Sequence, residues 1–259
     1  MQRQTQGPYT FRPLKEGDEA AEAAARAFAR ASIFERVWLH AALEIPILRA
    51  RAEPLVAFHG ERLVGLAARI EGLFPFRAVA LDAALPGVAT GLFTRLEAQF
   101  VCRVPARLTH ELARAGGRWI RAERQMVRLD PWWSPAPLDP QIERLSDARE
   151  LALFCGPRFT PLALDLGPFF GVRDAFGDLT AVAGAQLLTE RIALIGHLET
   201  REDCRRQGSA RALAAALTCA LETPERRVVA HLNDGDRPAE HLFAELGFRG
   251  VHDFAVFAR

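Results

Sequence analysis

The chain has 259 residues, 49% apolar and 25% charged, and its 33 Lys and Arg nearly cancel 32 Asp and Glu, for a formal net charge of +1. That balance excludes a nucleic-acid binder relying on a bulk positive field, and the apolar share is that of a globular chain with a proper core. The length admits one large domain or two of ordinary size.

Cys102, Cys155, Cys204 and Cys219 form no Cys-x-x-Cys pair and no zinc-type spacing, so free thiols in a reducing compartment and no metal centre are expected. Met1 to Pro8 is polar and lacks an apolar signal core, and no apolar stretch is long enough to span a bilayer. The expectation is a soluble, cytoplasmic protein without membrane contact. A homodimer stays open.

In chain order, Tyr9 to Leu14 reads as a strand and Glu19 to Leu43 as helical. Leu55 to Ala67 reads as strand, turn at Gly60, strand. Leu85 to Leu92 is a turn with no basic residue, and Leu112 to Arg118 reads as a helix ending in glycine, followed by a closing strand. Asp130 to Pro140 holds four prolines, which exclude helix and central strand. It reads as a linker, with Trp132 and Trp133 pinning it to one of the domains.

The second half repeats the design. Gln141 to Leu145 and Asp147 to Phe154 read as strand and helix, and Phe170 to Gly184 as a second hairpin, turning at Gly177. Ile192 to Thr200 and Val228 to Leu232 read as strands, Asp236 to Phe248 as a helix ended by Gly247, and Phe254 to Phe257 as the last strand. The two halves differ in spacing, 56 residues from Gly60 to Gly116 against 70 from Gly177 to Gly247. The missing length lies between hairpin and helix. Phe159, Pro161, Leu162, Leu164, Phe169 and Phe170 form an apolar stretch that suits core packing or the lining of an acceptor site.

The turn that the second half gains is Cys204-Arg205-Arg206-Gln207-Gly208-Ser209-Ala210-Arg211, opening into a helix with Leu213, Leu217 and Leu221 on one face. Unpartnered N–H groups and the helix dipole make such an entrance suited to phosphate or pyrophosphate.

This ordered set resembles the GCN5-related N-acetyltransferase (GNAT) superfamily, whose members bind acyl-CoA through an Arg/Gln-x-x-Gly-x-Gly/Ala turn. Arg205, Gly208 and Ala210 fit that pattern, and Leu242-Phe243-Ala244-Glu245-Leu246-Gly247-Phe248 is similar to the family's Leu-Tyr-x-x-Leu-Gly-Phe ending. The resemblance implies an α+β chain of two tandem GNAT-like domains, each a mixed, mostly antiparallel sheet flanked by helices. The domains would be 1–130, lacking a cofactor site, and 141–259, which binds acyl-CoA, joined by the 131–140 linker.

It further implies an acyl-CoA-dependent N-acyltransferase, using acetyl-CoA by direct transfer in a ternary complex, or a CoA-binding sensor without catalysis. The acceptor would be a small amine, an amino acid or a peptide N-terminus. Leu198 and Thr200 would pair with the pantetheine arm, and Arg205, Arg206, Gln207, Gly208, Ser209, Ala210 and Arg211 would surround the pyrophosphate. Asn233, Asp236 and Phe243 would complete the cofactor site.

His231 falls where some relatives carry a catalytic glutamate, and an unperturbed imidazole titrates at about 6.5, which suits a base. Glu199 and then His197 are the further candidates. The sequence departs from the family at Phe243, where relatives use a tyrosine as general acid, and at Asp236, where they have asparagine. His241 is one replacement for the acid.

Overall fold

The structure is a computed structural model and describes residues 4–6, 8–74, 76–96, 99–129 and 141–259. The expected linker, with Trp132 and Trp133, lies outside the described residues. By contacts the chain divides into two compact units. The first comprises Met1–Gly72, Phe76–Glu123 and His252–Arg259; the second comprises Leu73–Pro75 and Arg124–Val251. The last eight residues thus group with the first unit, although they follow the second half in sequence.

In chain order the elements are β1 (Gln4–Gln6), β2 (Tyr9–Pro13), α1 (Glu19–Ala31), α2 (Val37–Glu44), α3 (Pro46–Arg49), β3 (Ala52–His59), β4 (Arg62–Ile70), β5 (Ala78–Ala83), α4 (Pro86–Arg95), β6 (Val101–Pro105), α5 (Thr109–Arg114) and β7 (Arg118–Arg128). Then follow β8 (Ile142–Leu145), α6 (Ala148–Cys155), α7 (Leu162–Leu166), β9 (Phe169–Arg173), β10 (Leu179–Leu188), β11 (Ile192–Thr200), α8 (Ser209–Leu221), β12 (Arg227–Asn233), α9 (Arg237–Glu245) and β13 (Phe248–Ala258). From β2 to β7 and from β8 to β13 the order is the same, apart from the extra short helix α3. The internal echo read from the sequence is therefore a duplication of the whole element order.

In the first unit the strands follow β1-β2-β3-β4-β5-β6, then the end of β13. Helix α1 is capped by Asp18, whose carboxylate accepts the Ala21 N–H at 3.1 Å. It buries Ala21, Ala25 and Ala29, one residue per turn. On another face, Phe11, Val88, Leu92, Phe93, Leu112 and Phe257 form a core under α4 and α5.

In the second unit the order is β12-β11-β10-β9-β8. Helices α8 and α9 pack on one core, with Leu213, Leu217, Phe243 and Leu246 against Ala193, Ile195, Val228 and Ala230. Helix α6 and the segment through α7 pack on another, with Leu151, Cys155, Phe159 and Ala163 against Leu145, Phe169 and Val182. Gly184 seats the latter core, because a Cβ there would stand 2.3 Å from the Phe169 ring.

Candidate functional site

β11 and β12 run parallel and pair from Ile192↔Arg227 to Ile195↔Ala230. Beyond that rung β11 continues to Thr200 and β12 to Asn233, with no further pairing between them among the described residues. The cause lies on the other edge of β11. There Val182 pairs with Glu199 and Gly184 with Gly196, so Ala183 alone faces both His197 and Leu198. This is a β-bulge, and His197 adopts φ 48, in the left-handed region that non-glycine residues seldom occupy. A bulge bends its strand, and this one lies just past Ile195, where the pairing with β12 stops.

The bulge also resets the alternation of side chains. Ile195 and Leu198, three residues apart, both pack toward the α8 core. His197 lies against Phe159 and Phe169 instead, with ring centroids at 6.1 and 5.4 Å. On β12, Ala230 and Leu232 face the α8 core, so His231 between them points to the opposite face. His197, Glu199 and His231 thus share the side of the sheet that α6 packs on. The helix expected to hold the cofactor lies on the other.

Eight residues, 201–208, separate β11 from α8. Arg206 (φ 66) and Gly208 (φ 87) both take left-handed conformations, and no side chain caps α8. The Gly208 position opens on empty space, with nothing within 4 Å of where a Cβ would stand. Arg205, Arg206 and Gln207 are exposed. Arg205 Nε donates to the Thr200 carbonyl at 3.5 Å, and Arg211 pairs with Glu245 at 3.4 Å. The first-turn N–H groups of a helix have no intrahelical acceptor. This entrance joins them with the positive end of the dipole and arginines in solvent. Such an arrangement binds anions.

Other predicted residues have defined structural roles. Asp236 caps α9, its carboxylate accepting the Ala239 N–H at 3.2 Å, and Asn233 is exposed, its carbonyl accepting the Asp236 N–H at 3.1 Å. Phe243 is 2% exposed in the α8–α9 core, edge-on to Phe248 at 5.1 Å. It is a packing residue of that core. His241 is exposed and reaches Glu245 at 3.0 Å. Of the apolar stretch, Phe159, Leu162 and Phe169 are buried, which favours the core reading for them, while Leu164 and Phe170 are half-buried and Pro161 is exposed.

Three further residues surround the candidate catalytic groups. Arg158 Nη2 donates to Glu199 at 2.8 Å, Cys155 Sγ lies with His197 and Glu199 in one cluster, and Gln125 Nε2 stands 2.9 Å from His231 Nε2. Nothing in sequence pointed to them, since Cys155 and Arg158 are some forty residues from β11 and Gln125 lies on β7.

The electrostatics of this cluster follow from burial. Burial, with the Arg158 charge adding to it, holds His197 down to about 4. Burial raises Glu199 above the usual carboxylate range, with Arg158 partly offsetting it. Burial and then the Glu199 charge push the Cys155 thiol up to about 12, against a smaller lowering by Arg158. At neutral pH the imidazole and the thiol are uncharged.

A pH dependence of stability follows. The unfolded chain binds a proton on His197 near pH 6.5, the folded protein only near 4. Stability is therefore full above pH 6.5, falls as pH drops toward 4, and then levels off. The loss is on the order of 3 kcal/mol. Urea unfolding of the protein and of His197→Asn, which tolerates the left-handed backbone, should show that slope only in the former. Equal slopes would remove His197 as its source.

The first unit has the matching parallel pair, β5 and β6, with rungs from Ala78↔Val101 to Ala80↔Arg103. Only two residues, Ala84 and Leu85, lie between β5 and α4. Past the last rung Asp82, 1% exposed, accepts from Arg36 Nε at 2.5 Å and also from Arg107. The crevice left beside Trp38, Asp82, Pro105 and Phe254 measures about 10 Å³. Arg36 and Asp82 of that ion network line it.

Comparison with known proteins agrees with this geometry. The FR47-like protein family matches residues 170–255. No curated protein sequence matches the chain. A tandem GNAT protein of the clavulanic acid biosynthesis pathway has a similar structure, with TM-score 0.60 and 15% identity over 96% of this chain and 97% of that one. A GCN5-related N-acetyltransferase from Sphaerobacter thermophilus gives TM-score 0.61 and 16% identity over 98% and 96%. A protein of the GNAT family from Novosphingobium aromaticivorans gives TM-score 0.58 and 23% identity over 74% and 86%.

Strands parting at a bulge beside an uncapped helix entrance thus define the GNAT fold here. The chain as a whole has the fold of a tandem GNAT protein, and residues 170–255 match the FR47-like protein family. Among the described residues no helix is long and apolar enough to cross a membrane.

Proposed function

We propose that the protein is an acyl-CoA-dependent N-acyltransferase, with acetyl-CoA as donor and a small amine, an amino acid or a peptide N-terminus as acceptor. One observation carries this reading. The uncapped α8 entrance, with Arg206 and Gly208 in left-handed conformations, lies next in chain to the β11 segment that has no β12 partner. These residues fit a CoA thioester, in that amide donors and arginines suit a diphosphate and an unpaired strand edge suits an amide-bearing arm. The first half, 1–130, would serve as scaffold, joined through 131–140 to the working half, 141–259.

Bound acyl-CoA would supply an activated acyl carbonyl. The chain's own part is to hold the diphosphate at Arg205 to Arg211, to orient the arm along Leu198 and Thr200, and to take a proton from the acceptor ammonium. His231, the first residue of β12 beyond the last rung, is the leading base. Gln125 fixes its ring, and turning the Gln125 amide would let its oxygen accept from a protonated Nε2. Glu199, with its affinity for protons raised by burial, is the second candidate.

His231→Ala should cut turnover by about 10²–10⁴-fold while CoA binding stays nearly intact. Free-thiol release over an amine panel and calorimetry with CoA and acetyl-CoA measure the two. Full turnover in His231→Ala would shift the base to Glu199, where Glu199→Gln should then show the loss.

The buried Phe243 favours one alternative, a CoA-binding sensor without catalysis, because it removes the tyrosine acid of relatives. Tight CoA binding with no thiol release on any acceptor would select it.

A further inference from the structure

We propose that Cys155, His197 and Glu199 form a binding site for a zinc-type divalent cation. Their donor atoms, one sulfur, one imidazole nitrogen and one carboxylate oxygen, all lie within 4.8 Å of one another. A thiolate, an imidazole and a carboxylate are the ligand types zinc takes, and three protein ligands leave a fourth position for water.

The fold builds this cluster. Cys155 is the last residue of α6, held 3% exposed in the core of that face. The bulge in β11 turns His197 and Glu199 to the same side, at the cost of a left-handed backbone at His197. Strain of that kind in a non-glycine residue marks functional positions. Phe159 and Phe169 flank the His197 ring and limit its rotation. An aromatic box of this kind preorganises a ligand.

Glu199 is engaged by Arg158 at 2.8 Å, but the Arg158 side chain is 73% exposed and can move into solvent when a cation takes the carboxylate. On binding, the Cys155 thiol gives its proton to solvent and its sulfur bonds the metal. No electron is transferred. The occupied site would draw Glu199 and His197 away from proton transfer, which makes zinc an inhibitor of the proposed acyl transfer. The site itself stands independently of that function.

The test is metal binding to the full chain, reduced and stripped with a chelator, then titrated with Zn²⁺ against a chromogenic chelator. One equivalent should bind, and Co²⁺ in its place should give a thiolate-to-metal charge-transfer absorption. Cys155→Ser should abolish that absorption, and His197→Ala should weaken Zn²⁺ by more than about 100-fold, beyond what outer partners of a metal site contribute.

Arg158→Ala, changed at an exposed side chain, should tighten Zn²⁺ because Glu199 loses its competing partner. It keeps the test open if Cys155→Ser fails to fold. A double variant, Cys204→Ser with Cys219→Ser, should bind unchanged. No uptake by the protein, a charge-transfer band that persists in Cys155→Ser, or no effect of Arg158→Ala would overturn the site. Each readout is independent of acyl transfer.

Discussion

Gly208→Glu is expected to lose CoA binding, by on the order of 10³-fold or more in calorimetry, while the protein still folds. The position is open, with nothing within 4 Å of where a Cβ would stand. The backbone penalty is modest, because φ 87 costs a non-glycine residue about 1–2 kcal/mol. The effect on binding comes from charge. A carboxylate at the first turn of α8 is attracted by the same helix dipole and N–H groups that would hold a diphosphate. It would occupy their place and repel the phosphates. Gly208→Ala carries the backbone strain alone and should retain affinity to within about tenfold. If Gly208→Glu binds CoA normally, the helix entrance is not the diphosphate site and the proposed function loses its main support.

Asp82→Ala is expected to destabilise the first unit by about 3–5 kcal/mol, the cost of leaving a buried charge without its partner. The Asp82 side chain is 1% and the Arg36 side chain 11% exposed. The carboxylate takes Arg36 on one oxygen, and Arg107 with the Ala83 N–H on the other. Without it Arg107 can still pair with Glu35, 3.5 Å away. Arg36 keeps only the Phe28 carbonyl and ring. A fall in melting temperature on the order of 10 °C should follow, with CoA affinity unchanged if the second half alone holds the cofactor as proposed. Unchanged stability would show that the network fills space without contributing energy. CoA affinity lost in parallel would contradict the assignment of the cofactor to the second half.

A tyrosine at this place in the last helix would carry a hydroxyl proton donor that Phe243 lacks. Its burial against Phe248 shows that the ring serves the α8–α9 core. The exposed His241, tied to Glu245, is a surface residue of α9 rather than a buried acid. Under the proposed function, completing the transfer would fall to solvent or to the leaving thiolate's own modest basicity.

Local chemistry makes much of the protein legible in the amino-acid sequence itself. Gly60 and Gly177 sit in the turns of the two hairpins and Gly116 and Gly247 follow the matching helices, all with positive φ. Leucines repeating every fourth residue place α8 on its core, and Arg205 to Arg211 stand out because a helix entrance depends on neighbours in sequence. Strands β5 and β6 and the short helix α7 carry no such punctuation.

Only the tertiary structure decided what lies across the sheet. The parting of β11 and β12 depends on a bulge, which is a mismatch of register between two strands and leaves no trace in either one. Likewise the Cys155–His197–Glu199 cluster, the Arg158 ion pair, the Gln125 contact to His231 and the Asp82 network join residues far apart in the chain. Their meaning depends on distance and burial, which packing alone creates.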